Sequence, residues 1–134
     1  MKKSVCIVVA NFYPSISKAL INGSIKTLKS KGIKNYKIIK VPGVFEIPYV
    51  IKKNIKKYDA FISLGCVIKG ETPHFDFISR ATITAIMNLS VSFNKPIGNG
   101  IITCLNKKQA LARIHINKNK GKESAQAVIS LLKI

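Results

Sequence analysis

Residues 70–77 read GETPHFDF, with a glycine, a glutamate, a threonine and a histidine inside five positions. The chain holds two histidines and five acidic residues, and three of those seven fall in this octapeptide. A glycine that leads into a helix presents backbone N–H groups to an anion, and the Thr72 hydroxyl adds a donor. His74 stands just beyond. Histidine is the side chain that ordinarily changes charge near neutral pH, so it can exchange protons with whatever the anion is attached to. A plain capped helix start, with Thr72 as N-cap and Pro73 at the first helical position, explains the Thr-Pro pair but gives no reason for the histidine.

Three further residues carry chemistry of a matching kind. Arg113, one of only two arginines, suits a phosphate bidentately, although a cation near a helix C-terminus is the commoner reason for such a residue. Glu46 follows Gly43 in VPGVFE, where its carboxylate can accept from substrate hydroxyls or simply complement a helix dipole. Phe12, after the first apolar run, can stack on a planar ring or belong to the core. His115 has NKNK after it and reads as solvated surface. Cys6, Cys66 and Cys104 are far apart, odd in number and set in or beside apolar runs. They read as small buried hydrophobes, with neither a disulfide framework nor a metal site, and fit a reducing cytoplasm.

The elements that position these residues alternate. SVCIVVA reads as a buried strand, and YKIIKV, AFISLGCVI and PIGNGIIT as three more, rich in β-branched residues or bounded by turn signals. Between and after them lie helical stretches. KALINGSIKTLKSKG is capped by Ser15 or Ser17 and stopped at Gly32, and FEIPYVIKKNIKK has Pro48 in its first turn. FISRATITAIMNLSVSF, NKKQALARI (capped by Asn106) and KESAQAVISLLKI complete the set. This alternation predicts an α/β fold: a three-layer α/β/α sandwich around a doubly wound, four-stranded parallel sheet of the flavodoxin-like kind. In such sheets ligands gather beyond the carboxyl ends of the strands. NFYPS, VPGVFE, KGETPH and TCLN then share one rim.

Length and composition restrict the remaining classes. The 134 residues, 47% hydrophobic, suit one domain spanning residues 1–134 with a single real core. No apolar run is long enough to span a bilayer. MKKSVCIVVA imitates a signal peptide, but a first strand explains it better. The net charge of +18 invites polyanions. Yet 21 of the 23 basic residues are lysines scattered along the chain, whereas base readers favour arginine, so no specific nucleic-acid partner is expected.

Taken in order and spacing, ANFYPSISKALINGSIKTL, VPGVFEIP, YDAFISLGCVIKGETPHFDFI, GIITCLNKKQALAR and NKGKESAQA resemble the 6,7-dimethyl-8-ribityllumazine synthases, from Val5 to about Leu132. The resemblance implies a transferase of riboflavin biosynthesis. It joins 5-amino-6-(ribitylamino)uracil to 3,4-dihydroxy-2-butanone 4-phosphate, releases phosphate and water, and uses no metal or organic cofactor. It also implies site roles. Phe12 stacks on the pyrimidine, Val44, Phe45 and Glu46 receive that ring and its ribityl chain, and Cys66, Val67 and Ile68 line the pocket through backbone atoms. Glu71, Thr72, Arg113 and Lys120 hold the phosphate, and His74 shuttles protons. The implied assembly is a pentamer, or a shell of pentamers, with sites shared between subunits.

The chain departs from its relatives at several of these positions. Asn11 and Tyr13 stand where arginine and asparagine are common, with little change in chemistry expected. Val44 replaces a common alanine. Asn99 occupies a position that is often phenylalanine, supplied by a neighbouring subunit to cover the ring. The archaeal-type riboflavin synthases share the fold, but the GETPH turn and the Arg113 position favour lumazine formation.

Overall fold

The computed structural model describes residues 2–134. The four apolar runs form β1 (Ser4–Ala10), β2 (Asn35–Val41), β3 (Ala60–Ile68) and β4 (Ile97–Cys104). They pair in parallel throughout, in the order β2-β1-β3-β4. Five helices connect or follow them: α1 (Pro14–Ser30), α2 (Ile47–Lys53), α3 (His74–Phe93), α4 (Lys107–Ala112) and α5 (Lys120–Leu132). A small antiparallel pair, β5 (Ile114–His115) and β6 (Lys118–Asn119), lies between α4 and α5.

Side chains that alternate along each strand fall on the two sheet faces. Val5, Ile7, Val9, Ile62, Leu64 and Ile102 pack with Ile16, Leu20 and Leu28 of α1 and Val128 and Ile129 of α5. Cys6, Val8, Phe61 and Ile101 pack on the other face with Ile47 and Ile51 of α2 and Ile86 of α3. The sandwich therefore has three layers, with α1 and α5 on one face and α2 and α3 on the other. The expected α/β doubly wound fold is the one observed, with a flavodoxin-like four-stranded parallel sheet.

Local chemistry moves several boundaries. Neither Ser15 nor Ser17 caps α1: Tyr13 takes the N-cap place without a side-chain hydrogen bond and Pro14 begins the helix, as its preset φ favours. Ser17 is instead buried, and its hydroxyl donates to the Ala10 carbonyl at 2.7 Å, tying α1 to the end of β1. Gly32, at φ +79°, closes α1 as expected. The N–H groups of Gly32 and Ile33 donate to the carbonyls of Lys29 and Leu28, a termination that needs a left-handed residue. The segment expected as one helix from Phe45 to Lys57 is a 3-10 turn, Val44–Glu46, followed by the short α2. There Asn54 turns its amide back onto the Val50 carbonyl at 2.8 Å, the local competition that ends helices. Pro48 sits in the first turn of α2, where it costs no hydrogen bond.

The Asn106 cap is as expected, its Oδ1 accepting from the Gln109 N–H at 2.9 Å. The final helix starts two residues early, at Lys120, because Asn119 caps it through the Lys122 N–H at 3.1 Å. The β5–β6 pair was not anticipated. His115 lies in it, exposed.

Candidate active site

The chain runs from β1 outward to β2, then crosses back over β1 to β3 and on to β4. The strand order thus reverses between β1 and β3, and the carboxyl ends of those two strands diverge into a crevice at the topological switch point. A cleft of about 590 Å³ opens there. Its walls are the β1–α1 turn (Phe12, Tyr13), the stretch after β2 (Pro42 to Glu46), the end of β3 (Cys66 to Ile68) and the start of α3 (His74, Ile78).

Eight of the residues expected at the site line this one cleft: Phe12, Val44, Phe45, Glu46, Cys66, Val67, Ile68 and His74. Phe12 is 70% exposed, so it is not a core aromatic but a ring offered to the cleft. Glu46 has a local bond as well: its Oε1 accepts the Gly43 N–H at 2.9 Å, which folds the 3-10 turn and fixes the carboxylate at the cleft edge. His74 is the first residue of α3, and its backbone N–H reaches the Thr72 Oγ1 at 3.4 Å. Pro73, rather than Thr72, occupies the N-cap place, because the threonine hydroxyl reaches only two residues along. Its own O–H remains free to donate outward.

Val44, in the cleft wall, is packed closely against β3. A Cβ on Gly65 of β3 would stand 2.7 Å from Val44 Cγ1 and 3.1 Å from Ala10 Cβ, so glycine alone lets the 3-10 turn lie against the strand. Gly65→Ala is expected to cost about 1–3 kcal/mol through overpacking and to displace Val44 into the cleft. Chemical denaturation, together with the KM for the ligand that fills the cleft, reads both effects.

The buried thiol of Cys66 is a poor nucleophile. Burial pushes it up to about 12, with the neighbouring Cys104 thiol adding to the rise, so it stays protonated at neutral pH. Burial raises Cys104 as well, and the Arg113 guanidinium pulls in the opposite sense.

Five expected residues are not in the cleft of their own chain. Glu71 and Thr72 lie exposed on the turn between β3 and α3. Arg113, half-buried at the end of α4, donates from Nη1 to the Gln109 carbonyl at 3.0 Å. Lys120 pairs with Glu123 at 3.1 Å on the surface of α5. Asn99 is exposed on β4, a strand at the sheet edge, and its Oδ1 accepts the Ile101 N–H at 3.1 Å. Conversely, Pro42, Gly43 and Ile78 line the cleft without having been named as site residues, and so does Tyr13, which was noted only as a departure from the family. Ile78 had a legible signal, since it lies one helical turn from His74. Pro42 and Gly43 read only as a strand stop.

A doubly wound parallel sheet with an aromatic ring, a carboxylate and a histidine around its switch-point cleft defines the class: a flavodoxin-like α/β enzyme with its site at the strand carboxyl ends. Within that class, the chain belongs to the 6,7-dimethyl-8-ribityllumazine synthase family, whose sequence profile matches residues 2–134. It is 45% identical to the 6,7-dimethyl-8-ribityllumazine synthase of Bartonella henselae (strain Houston 1), with 98% of this chain and 87% of that protein covered. It is 40% identical to the enzyme of the same name from Agrobacterium fabrum, over 99% of this chain and 95% of that one. With 6,7-dimethyl-8-ribityllumazine synthase 1 of Rhodopseudomonas palustris it shares 42% identity, over 97% and 84%.

Proposed function

We propose that this cleft condenses 5-amino-6-(ribitylamino)uracil with 3,4-dihydroxy-2-butanone 4-phosphate to give 6,7-dimethyl-8-ribityllumazine, phosphate and water, the whole chain acting as one domain. The observation that carries the reading is the convergence of Phe12, Val44, Phe45, Glu46, Cys66, Val67, Ile68 and His74 on one cleft, in a chain of that family. Phe12 stacks on the pyrimidine. Glu46 accepts from its ribityl hydroxyls, and the backbone of residues 66–68 lines the ring edge. The amine condenses with the ketone to an imine, phosphate leaves, and the ring closes on the ribityl-bearing nitrogen. Each step moves a proton, and His74 at the mouth of the cleft is the group that carries it. No covalent nucleophile is needed, in keeping with a protonated Cys66, and much of the acceleration comes from holding two substrates in register.

The phosphate side is built from donors. Glu71 and Thr72 contribute backbone N–H groups and the threonine hydroxyl, because a carboxylate would repel the dianion. Arg113 and Lys120 supply the charge, and Asn99 approaches the ring from its open side. Since Asn99, Arg113 and Lys120 are absent from the cleft of their own chain, a second copy brings them. The homo-oligomer has a suitable surface. Phe77, Met87 and Val91 stand exposed along α3, and residues 81–94 contain no charged side chain in a chain of net charge +18. Such a neutral apolar face lets copies meet without mutual repulsion. A pentamer, or a shell of pentamers, fits that contact. No helix among the described residues is long and apolar enough to cross a membrane, and three free buried cysteines suit a reducing cytoplasm.

The test mixes purified protein with both substrates at moderate salt and follows lumazine absorbance together with phosphate. Stoichiometric release of both, well above the uncatalysed rate, is expected. A folded oligomer that produces neither, or that only converts lumazine to riboflavin, would overturn the reading.

A further inference from the structure

Phe12 has little to hold it from its own position. Strand β1 ends at Ala10 and the Asn11 N–H donates to the Val41 carbonyl at 2.9 Å, so the backbone is pinned up to that point, but the Phe12 ring projects 70% exposed. Tyr13 is anchored in a way that Phe12 is not. Its carbonyl accepts the Ser17 N–H at 2.9 Å, and its half-buried ring packs on the α1 side of the core. The two rings meet with centroids 4.9 Å apart at 75°, the edge-to-face geometry that aromatic quadrupoles favour. Both line the cleft.

We propose that Tyr13 is a positioning residue that acts through Phe12, holding the Phe12 ring in the one orientation that stacks on the substrate pyrimidine. The proposal rests on the stacking role assigned to Phe12 above. Without the Tyr13 ring, an exposed phenylalanine distributes among its staggered χ1 wells. Only the fraction in the stacking orientation then binds, so the apparent affinity falls by that fraction. The reacting atoms are not involved, so the loss belongs to binding of the amine and not to turnover.

The experiment measures kcat and both KM values for Phe12→Ala, Tyr13→Ala, Tyr13→Leu, Tyr13→Phe and the double variant Phe12→Ala/Tyr13→Ala, with thermal unfolding of each. Tyr13→Leu fills the half-buried volume without an aromatic edge and serves if Tyr13→Ala does not fold. Expected are a rise of about 3- to 10-fold in the KM for the ribitylamino-uracil, with kcat within about twofold and an unchanged KM for the butanone phosphate. Tyr13→Phe recovers the affinity, and removing Tyr13 adds nothing once Phe12 is gone. Full additivity of the two alanine changes would overturn the proposal, as would a Tyr13→Phe variant as damaged as Tyr13→Leu, which would assign the hydroxyl directly to substrate. If Phe12→Ala itself leaves the KM for the amine unchanged, the stacking reading fails and takes this one with it. If Phe12→Ala raises that KM while Tyr13→Leu does not, positioning alone fails.

Discussion

Arg113→Ala is expected to raise the KM for the butanone phosphate by about 10- to 100-fold while leaving the KM for the ribitylamino-uracil near its original value. The magnitude follows from the loss of hydrogen bonds to a charged group, about 1.5–3 kcal/mol. The direction follows from what Arg113 already does. Among the described residues only Nη1 is engaged, with the Gln109 carbonyl at 3.0 Å, and a guanidinium carries five donors in a rigid fork. The bond to the end of α4 fixes the side chain and leaves donors for a phosphate. The plainer explanation of this arginine, a cation complementing a helix C-terminus, is thus present in the structure, and on the proposed reading the same bond holds the phosphate anchor in place. Arg113→Lys is expected to recover only part of the loss, because a point charge does not reproduce the fork. Steady-state kinetics with each substrate varied in turn separates the two KM values. A variant that loses affinity for both substrates equally, or that unfolds, would show that Arg113 supports the structure rather than the phosphate.

The sheet was legible in the sequence because its two central strands, β1 and β3, are buried on both faces. Ser4–Ala10 and Ala60–Ile68 are continuous runs whose ends coincide with Asn11 and Asp59, so pattern and structure agree there. Helix edges were less legible because they depend on side chains that reach elsewhere. Ser17 reads as a cap by type, yet its hydroxyl is committed to Ala10 across the fold. Asn119 reads as one polar residue in NKNK, yet it is buried and bonds Ala19 and Ile114 as well as capping α5. The cleft was legible in three of the four strand-end motifs, NFYPS, VPGVFE and KGETPH, since parallel crossovers put carboxyl ends on one rim, whereas TCLN at the end of β4 does not line it. The contact of Tyr13 with Phe12 was not legible, because an edge-to-face contact between adjacent residues has no signature in spacing. Asn99, Arg113 and Lys120 could be named from the resemblance, but the fold of a single copy does not bring them to the cleft, and no pattern within one chain encodes where a neighbouring copy will stand.

His74→Ala is expected to lower kcat by about 10- to 100-fold, at the lower end of what a positioned acid–base group contributes, with the KM for the butanone phosphate little changed. The modest size has a structural reason. His74 is exposed, and among the described residues its imidazole has no hydrogen-bond partner, only its backbone N–H reaching Thr72. No carboxylate or carbonyl among the described residues orients the ring, so most of the rate remains with substrate alignment. Combining this variant with Arg113→Ala gives the sharper result. If His74 and Arg113 act in one site from two adjoining copies, every site in either pure variant carries one lesion. Co-expressed and mixed at random around a cyclic oligomer, about a quarter of the contacts pair an intact His74 with an intact Arg113. Activity of the mixture, measured at a butanone phosphate concentration too low to saturate Arg113→Ala, is then expected to rise to about a quarter of the unaltered enzyme. Were both residues supplied to each site by the same copy, mixing would create no intact site, and the activity would stay at the average of the two variants.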